Sequence, residues 1–170
     1  MSINAPDSDQ GSSSGLHQCE CSMKLYISPA YLMDPMAGVQ SQLSHMLLKY
    51  TPQLRGVPLA FSKVDLVSDT GFIRHDEPDI HLQASISVLV FAPALHQQLV
   101  GVVTRMSGDH VALLVHGAFN ASIIKQSDVS ADAATKLVVG QQVHFVLKSI
   151  TVADGLLSML GELPQAHYAR

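Results

Sequence analysis

Two stretches of equal length in the second half of the chain, LVGVVTRM (residues 99–106) and HVALLVHG (110–117), are β-branched runs separated by Ser107-Gly108-Asp109. This is the pattern of a β-hairpin whose loop places Gly where a positive φ is wanted. A second pair, QQVHFVLKSITV (141–152) and LLSMLGEL (156–163), is joined in the same way by Ala153-Asp154-Gly155. Counted with the strand that ends at Phe91, they make five short antiparallel strands with one break after the third, which predicts an OB barrel. Gly101 falls where a tightly curved strand would shed its side chain. In the break, VHGAFNASI (115–123), Gly117 lets the chain turn, Phe119 is placed to plug the open barrel end, and Ile123 starts the fourth strand.

The first half reads differently. KLYIS (24–28) is a short strand running into Ser28-Pro29, and Asp34-Pro35 repeats that helix-start signal. From there Met36, Val39, Leu43, Met46, Leu47 and Tyr50 form one apolar stripe at helical spacing, closed by Thr51-Pro52. Strands are expected over 57–67, 71–75 and 81–91, the last two joined by the acidic turn DEPD (76–79). In 81–91, Ile86, Val88 and Val90 alternate with Ser85 and Ser87 until Leu89 and Phe91 make both faces apolar. A strand that leaves one small domain and enters another would carry that pattern. The fold class is therefore α+β: a tip domain over 23–83, an antiparallel sheet with one packed helix, followed by a five-stranded OB barrel over 84–163. The Ser, Asp and Gly composition of 1–22 predicts a disordered leader, and 164–170 is left as a tail.

Composition narrows the function. With 10 Lys plus Arg against 14 Asp plus Glu, the net charge is −4, so the chain is no polyelectrolyte partner for naked nucleic acid. The longest apolar run, 86–95, is about half of what a bilayer-spanning helix needs, and no membrane association is expected. Asn120-Ala121-Ser122 matches a glycosylation acceptor, but the start of the chain has no basic or apolar leader, so the match is read as turn chemistry. Cys19 and Cys21 beside His17 invite a metal reading, yet a structural zinc site takes about four ligands and no second Cys pair exists. A reduced, solvent-facing pair in the leader is expected, with neither metal nor cofactor. No nucleophile elbow, phosphate-cradling Gly loop or paired-carboxylate motif occurs, so no catalysis is expected.

The order strand, helix, strands and barrel, with Val90-Phe91-Ala92-Pro93 ahead of Gly101-Val102-Val103, resembles the larger stalk subunits of archaeal and eukaryotic RNA polymerases. LVGVV followed by LVHGAFNASI is similar to the RNA polymerase I version. The resemblance covers about 24–163. It implies a non-catalytic subunit in the nucleus and nucleolus. The tip would dock on the polymerase core, a smaller stalk subunit would pair as a heterodimer, and an initiation factor would be received for ribosomal RNA gene transcription. Gly71, Ile73, Asp76 and Pro78 are the candidates for core docking. The alternative is a free-standing OB module for single-stranded RNA. Arg105 and Lys148 are the RNA-contact candidates there, with Lys125 and Lys136 in or near a loop. From 84 to 163 the barrel carries four bases against five acids, so only feeble contact with nascent RNA is expected.

Overall fold

The computed structural model describes residues 2–3, 14–68, 70–74, 77–124 and 137–164. These fall into two compact units, one holding Leu16–Ala92 and the other everything from Pro93 onward. Among the described residues, no helix is long and apolar enough to cross a membrane.

The first unit is an open antiparallel sheet with a helix on one face. Strand β2 (Leu16–Ile27) pairs along its whole length with β5 (Ile80–Phe91), and β5 pairs on its other side with β3 (Val57–Leu66). The two-residue strands β1 (Ser2–Ile3) and β4 (Phe72–Ile73) pair with β2 and β5 respectively. Period-two alternation decides the faces. Cys21, Met23, Leu25 and Ile27 on β2 stand opposite Ile86, Ala84, Leu82 and Ile80 on β5, and all eight are buried. On the reverse face the same strands set Lys24 against Gln83 and Ser22 against Ser85.

Helix α1 (Pro35–Met46) begins where Asp34 Oδ1 accepts the Ala37 N–H at 3.1 Å, with Pro35 in the first turn. It buries Val39 and Leu43 in the sheet core. Burying two such side chains contributes about 1.5–3 kcal/mol each. The helix stops at Met46, short of the expected Tyr50, because Leu48 turns to φ 60°. Met36, expected on the buried stripe, is instead 36 % exposed. The earlier Ser28-Pro29 signal starts only a 3-10 turn, Pro29–Tyr31.

Two expectations are corrected here. Residues 16–22 are strand rather than leader, because β2 has a partner on β5 for every residue from Leu16 to Ile27. Cys19 and Cys21 thus sit in the sheet, and Cys21 is a core residue at 2 % exposure rather than solvent-facing. The strand ending at Phe91 does not pass into the barrel: its last residue still has antiparallel partners on both sides, Leu16 and Val57. The boundary therefore falls at Ala92/Pro93 and not at 83/84.

The second unit is a closed five-stranded barrel made wholly from later strands. Its members are β6 (Gln98–Met106), β7 (His110–Val115), β8 (Phe119–Ile124), β9 (Gln142–Ala153) and β10 (Leu156–Glu162). The ring runs β10-β8-β7-β6-β9 and closes through the antiparallel β9–β10 ladder. Only β8 and β10 run parallel. This is the OB-like barrel expected, with the strand count reached differently: Phe119–Ile124 is the third strand, and it resumes at Phe119 rather than Ile123. His116 and Gly117 at φ 51° and 70° turn the chain between Val115 and Phe119. Asp154 and Gly155 at 51° and 75° do the same between Ala153 and Leu156, so that loop is two residues, not three. Positive φ at both central residues is what tight hairpins of matching twist require. Gly108 is not among the positive-φ residues, contrary to expectation.

Phe145, Leu99, Leu113, Ile123 and Leu147 fill the barrel interior. Phe145 leaves no room around it. A Cβ on Gly161 would lie 2.3 Å from Phe145 Cδ2, and one on Gly101 would lie 3.1 Å from Leu113 Cβ.

Candidate docking surface

Strand β4 positions the residues expected to dock. Phe72 stands opposite His81 and Ile73 opposite Ile80, and both β4 side chains face outward, 62 % and 61 % exposed. Gly71 explains how they come so close to the sheet. A Cβ there would lie 2.6 Å from Ile80 Cγ2 and 2.8 Å from Leu82 Cδ2, so only bare backbone lets the chain enter β4 against β5. Gly71 shapes this surface and offers no side chain to it. Pro78 is exposed just before β5, and Asp76 lies outside the described residues.

The structure adds residues that the sequence reading missed. His81 on β5 is 7 % exposed and lies between two aromatic rings. Phe72 stacks on it with centroids 5.2 Å apart and planes 14° apart, and Tyr26 of β2 meets it edge-on at 4.8 Å and 84°. Such offset and edge contacts suit the ring quadrupoles. His81 Nε2 is 2.7 Å from Glu77 Oε2, near enough for attraction if the ring is protonated, but off the line of a well-formed hydrogen bond. All three rings belong to the face opposite α1, where Ser and Gln otherwise prevail. An aromatic among polar residues on the outward phase of a strand was the available signal.

The barrel candidates are not brought together. Arg105 lies beyond the Val102–Gln142 end of the β6–β9 ladder, and Lys148 lies beyond the Gln98–Val146 end. Counted along the strands at about 3.3 Å per residue, roughly 30 Å of strand path lies between them. Lys148 Nζ is also 2.7 Å from Glu162 Oε1, so a phosphate would have to compete with a carboxylate. Lys125 and Lys136 lie outside the described residues. Phe119 opens β8 opposite Val115 and is 7 % exposed.

Cys19 and Cys21 share the α1 face of β2 with His17, at alternate positions. Burial pushes both thiols above their ordinary value, and for Cys21 the neighbouring Cys19 adds to it. That disfavours the thiolate a metal would need. Among the described residues, no three His, Cys, Asp or Glu side chains converge as metal ligands.

No protein-family model matches the chain. Individual proteins do. The DNA-directed RNA polymerase I subunit RPA43 of Homo sapiens is 35% identical over 140 residues, 81% of this chain and 41% of that protein. The Danio rerio subunit of the same name is 35% identical over 143 residues, 82% of this chain and 37% of its own length. That of Schizosaccharomyces pombe is 30% identical over 112 residues, 66% and 65% of the two chains. The chain thus spans about two-fifths of the length of the human and zebrafish relatives. With the α+β sheet unit and OB-like barrel that the motifs led us to expect, and this identity across most of its length, the chain belongs to the RPA43 family, the larger stalk subunits of RNA polymerase I.

Proposed function

We propose that this chain serves RNA polymerase I as a non-catalytic subunit in the nucleus, concentrated in the nucleolus, where ribosomal RNA genes are transcribed. The observation that carries the reading is the pair of exposed apolar side chains on β4, Phe72 stacked on His81 and Ile73 opposite Ile80 on the other face of the sheet. Apolar side chains held outward by short, glycine-dependent backbone are suited to burial against a second protein. In this reading β4 and Pro78 meet the polymerase core, with Gly71 shaping the approach and Asp76 adding charge. A smaller stalk subunit pairs with the chain, and the assembled stalk receives the initiation factor. Contact with nascent RNA is feeble, in keeping with the separation of Arg105 from Lys148 and the pairing of Lys148 with Glu162. Phe119 keeps the end of the barrel filled.

The test is affinity purification of the tagged full chain from cells that carry the enzyme, beside a Phe72→Asp/Ile73→Asp variant. The parent should bring down the large polymerase I subunits, and the variant should lose them while keeping its melting temperature. Recovery of ribosomal proteins, or of no stable partner, would favour a free-standing OB module instead.

A further inference from the structure

A different part of the first unit carries an interaction surface of its own. Beyond its pairing with β1 at Ser22 and Cys21, the outer edge of β2 meets no strand among the described residues. The direction of its backbone groups follows from two hydrogen bonds. Tyr26 N–H points away from β5, to Gln42 Oε1 of α1 at 2.9 Å. Gln83, the partner of Lys24, turns its carbonyl the other way, to Val67 N–H at 2.8 Å. In an antiparallel ladder hydrogen-bonded and non-hydrogen-bonded pairs alternate, so Lys24, like Tyr26, aims both backbone groups outward.

They open into a cavity of about 490 Å³ between the strand edge and the end of the helix, walled by Gln42, Met46, Thr51 and Gln53. A strand edge beside a walled groove is the geometry of strand addition, in which main-chain bonds supply affinity and pockets read alternate side chains. The edge already accepts one strand, since β1 pairs there antiparallel. That strand, Ser2–Ile3, pairs with Ser22 and Cys21 and not with Lys24.

We propose that the β2 edge at 23–26 receives an extended segment of another subunit of the polymerase, antiparallel to β2. One of its carboxylates lies beside Lys24 and an apolar side chain lies against Met46. The proposal rests on the polymerase-subunit reading and specifies a contact separate from β4. The segment's side chains alternate, so the acidic one shares the face of Lys24 and Tyr26 while the apolar one faces the helix.

The experiment compares amide exchange in the peptide carrying residues 22–27, in the full chain alone and in the assembly purified with it. Assembly should slow exchange at Lys24 by at least about tenfold, the signature of a new backbone bond. Lys24→Pro removes the outward N–H without touching the β5 ladder, a position where edge strands tolerate proline. It should reduce recovery of the contacted subunit severalfold. Lys24→Glu keeps the backbone intact and should do the same by charge, which preserves the test if the proline variant does not fold. Recovered polymerase subunits with unchanged exchange at Lys24 overturn this proposal alone. Slowing that appears in the isolated chain as its concentration rises assigns the groove to a second copy and also overturns it. A parent chain that recovers no polymerase subunit overturns the functional reading and this contact with it.

Discussion

The two units solve the edge problem of β-structure in opposite ways. In the barrel each of the five strands has a neighbour on both sides, because β9 and β10 close the ring. Among the described residues of the sheet unit, β5 alone is paired along its length on both sides, β2 has an edge open past Ser22, and the two-residue β4 holds out Phe72 and Ile73. A closed barrel satisfies its own backbone and buries its own apolar residues, so its stability is internal. An open sheet leaves donors, acceptors and apolar side chains at its margins, which are liabilities until something covers them. The contrast separates residues whose loss should unfold the protein from those whose loss should leave it folded and alone.

The sharpest way to break the comparison is to hollow the barrel. Phe145 is fully buried and Phe119 nearly so, and truncating a buried Phe to Ala costs about 3–5 kcal/mol. Phe145→Ala and Phe119→Ala should each shift the urea midpoint far below the parent. A Phe119→Ala midpoint near the parent's would deny that this ring plugs the barrel end.

Adding atoms to the barrel should hurt less than removing them, though still visibly. In Gly161→Ala the new methyl meets the Phe145 ring and the Val146 carbonyl, at 2.3 and 2.9 Å if nothing moves. Overpacking of this kind costs about 1–3 kcal/mol. Unfolding in denaturant measures it, and a neutral outcome would mean that Phe145 has room to swing aside.

The same measurement on the sheet margin should give little. Phe72→Ala removes an exposed ring that touches only one face of His81, and the loss should stay below about 1 kcal/mol. A larger loss would make Phe72 part of the fold and weaken its assignment to docking.

The smallest effect expected is at the β6–β7 loop. The His110 ring, 2.9 Å from Asp109, hydrogen-bonds its carboxyl and holds it below the ordinary carboxylate value, with its own backbone N–H assisting. A carboxyl whose folded value is depressed contributes above the unfolded value and loses that contribution as pH falls through the folded one. Asp109→Asn should therefore lower stability slightly at neutral pH and match the parent once pH falls well below 3.8, so that the acid limb of the stability profile is slightly flatter. Because the group is fully exposed, a steep acid effect here would contradict the geometry.

Local chemistry settled much of this molecule before any coordinates. Asp34-Pro35 carries its own helix start, since cap and first turn are made by neighbours in sequence. Asp154-Gly155 and His116-Gly117 likewise carry their turns, because a positive φ is a property of single residues. The alternation of Met23, Leu25 and Ile27 against Lys24 and Tyr26 determined which face of β2 is core. What remained depended on partners distant in the chain. Residues 16–22 look unstructured by composition and become strand because Ser85 to Phe91 lie alongside them. The strand ending at Phe91 belongs to the sheet, and β8 takes its place in the barrel, through pairings no local pattern encodes. The stacking of Phe72, His81 and Tyr26, the distance between Arg105 and Lys148, and the open edge at Lys24 are of the same kind. Each is set by register between strands, and register is decided only when whole faces pack at once.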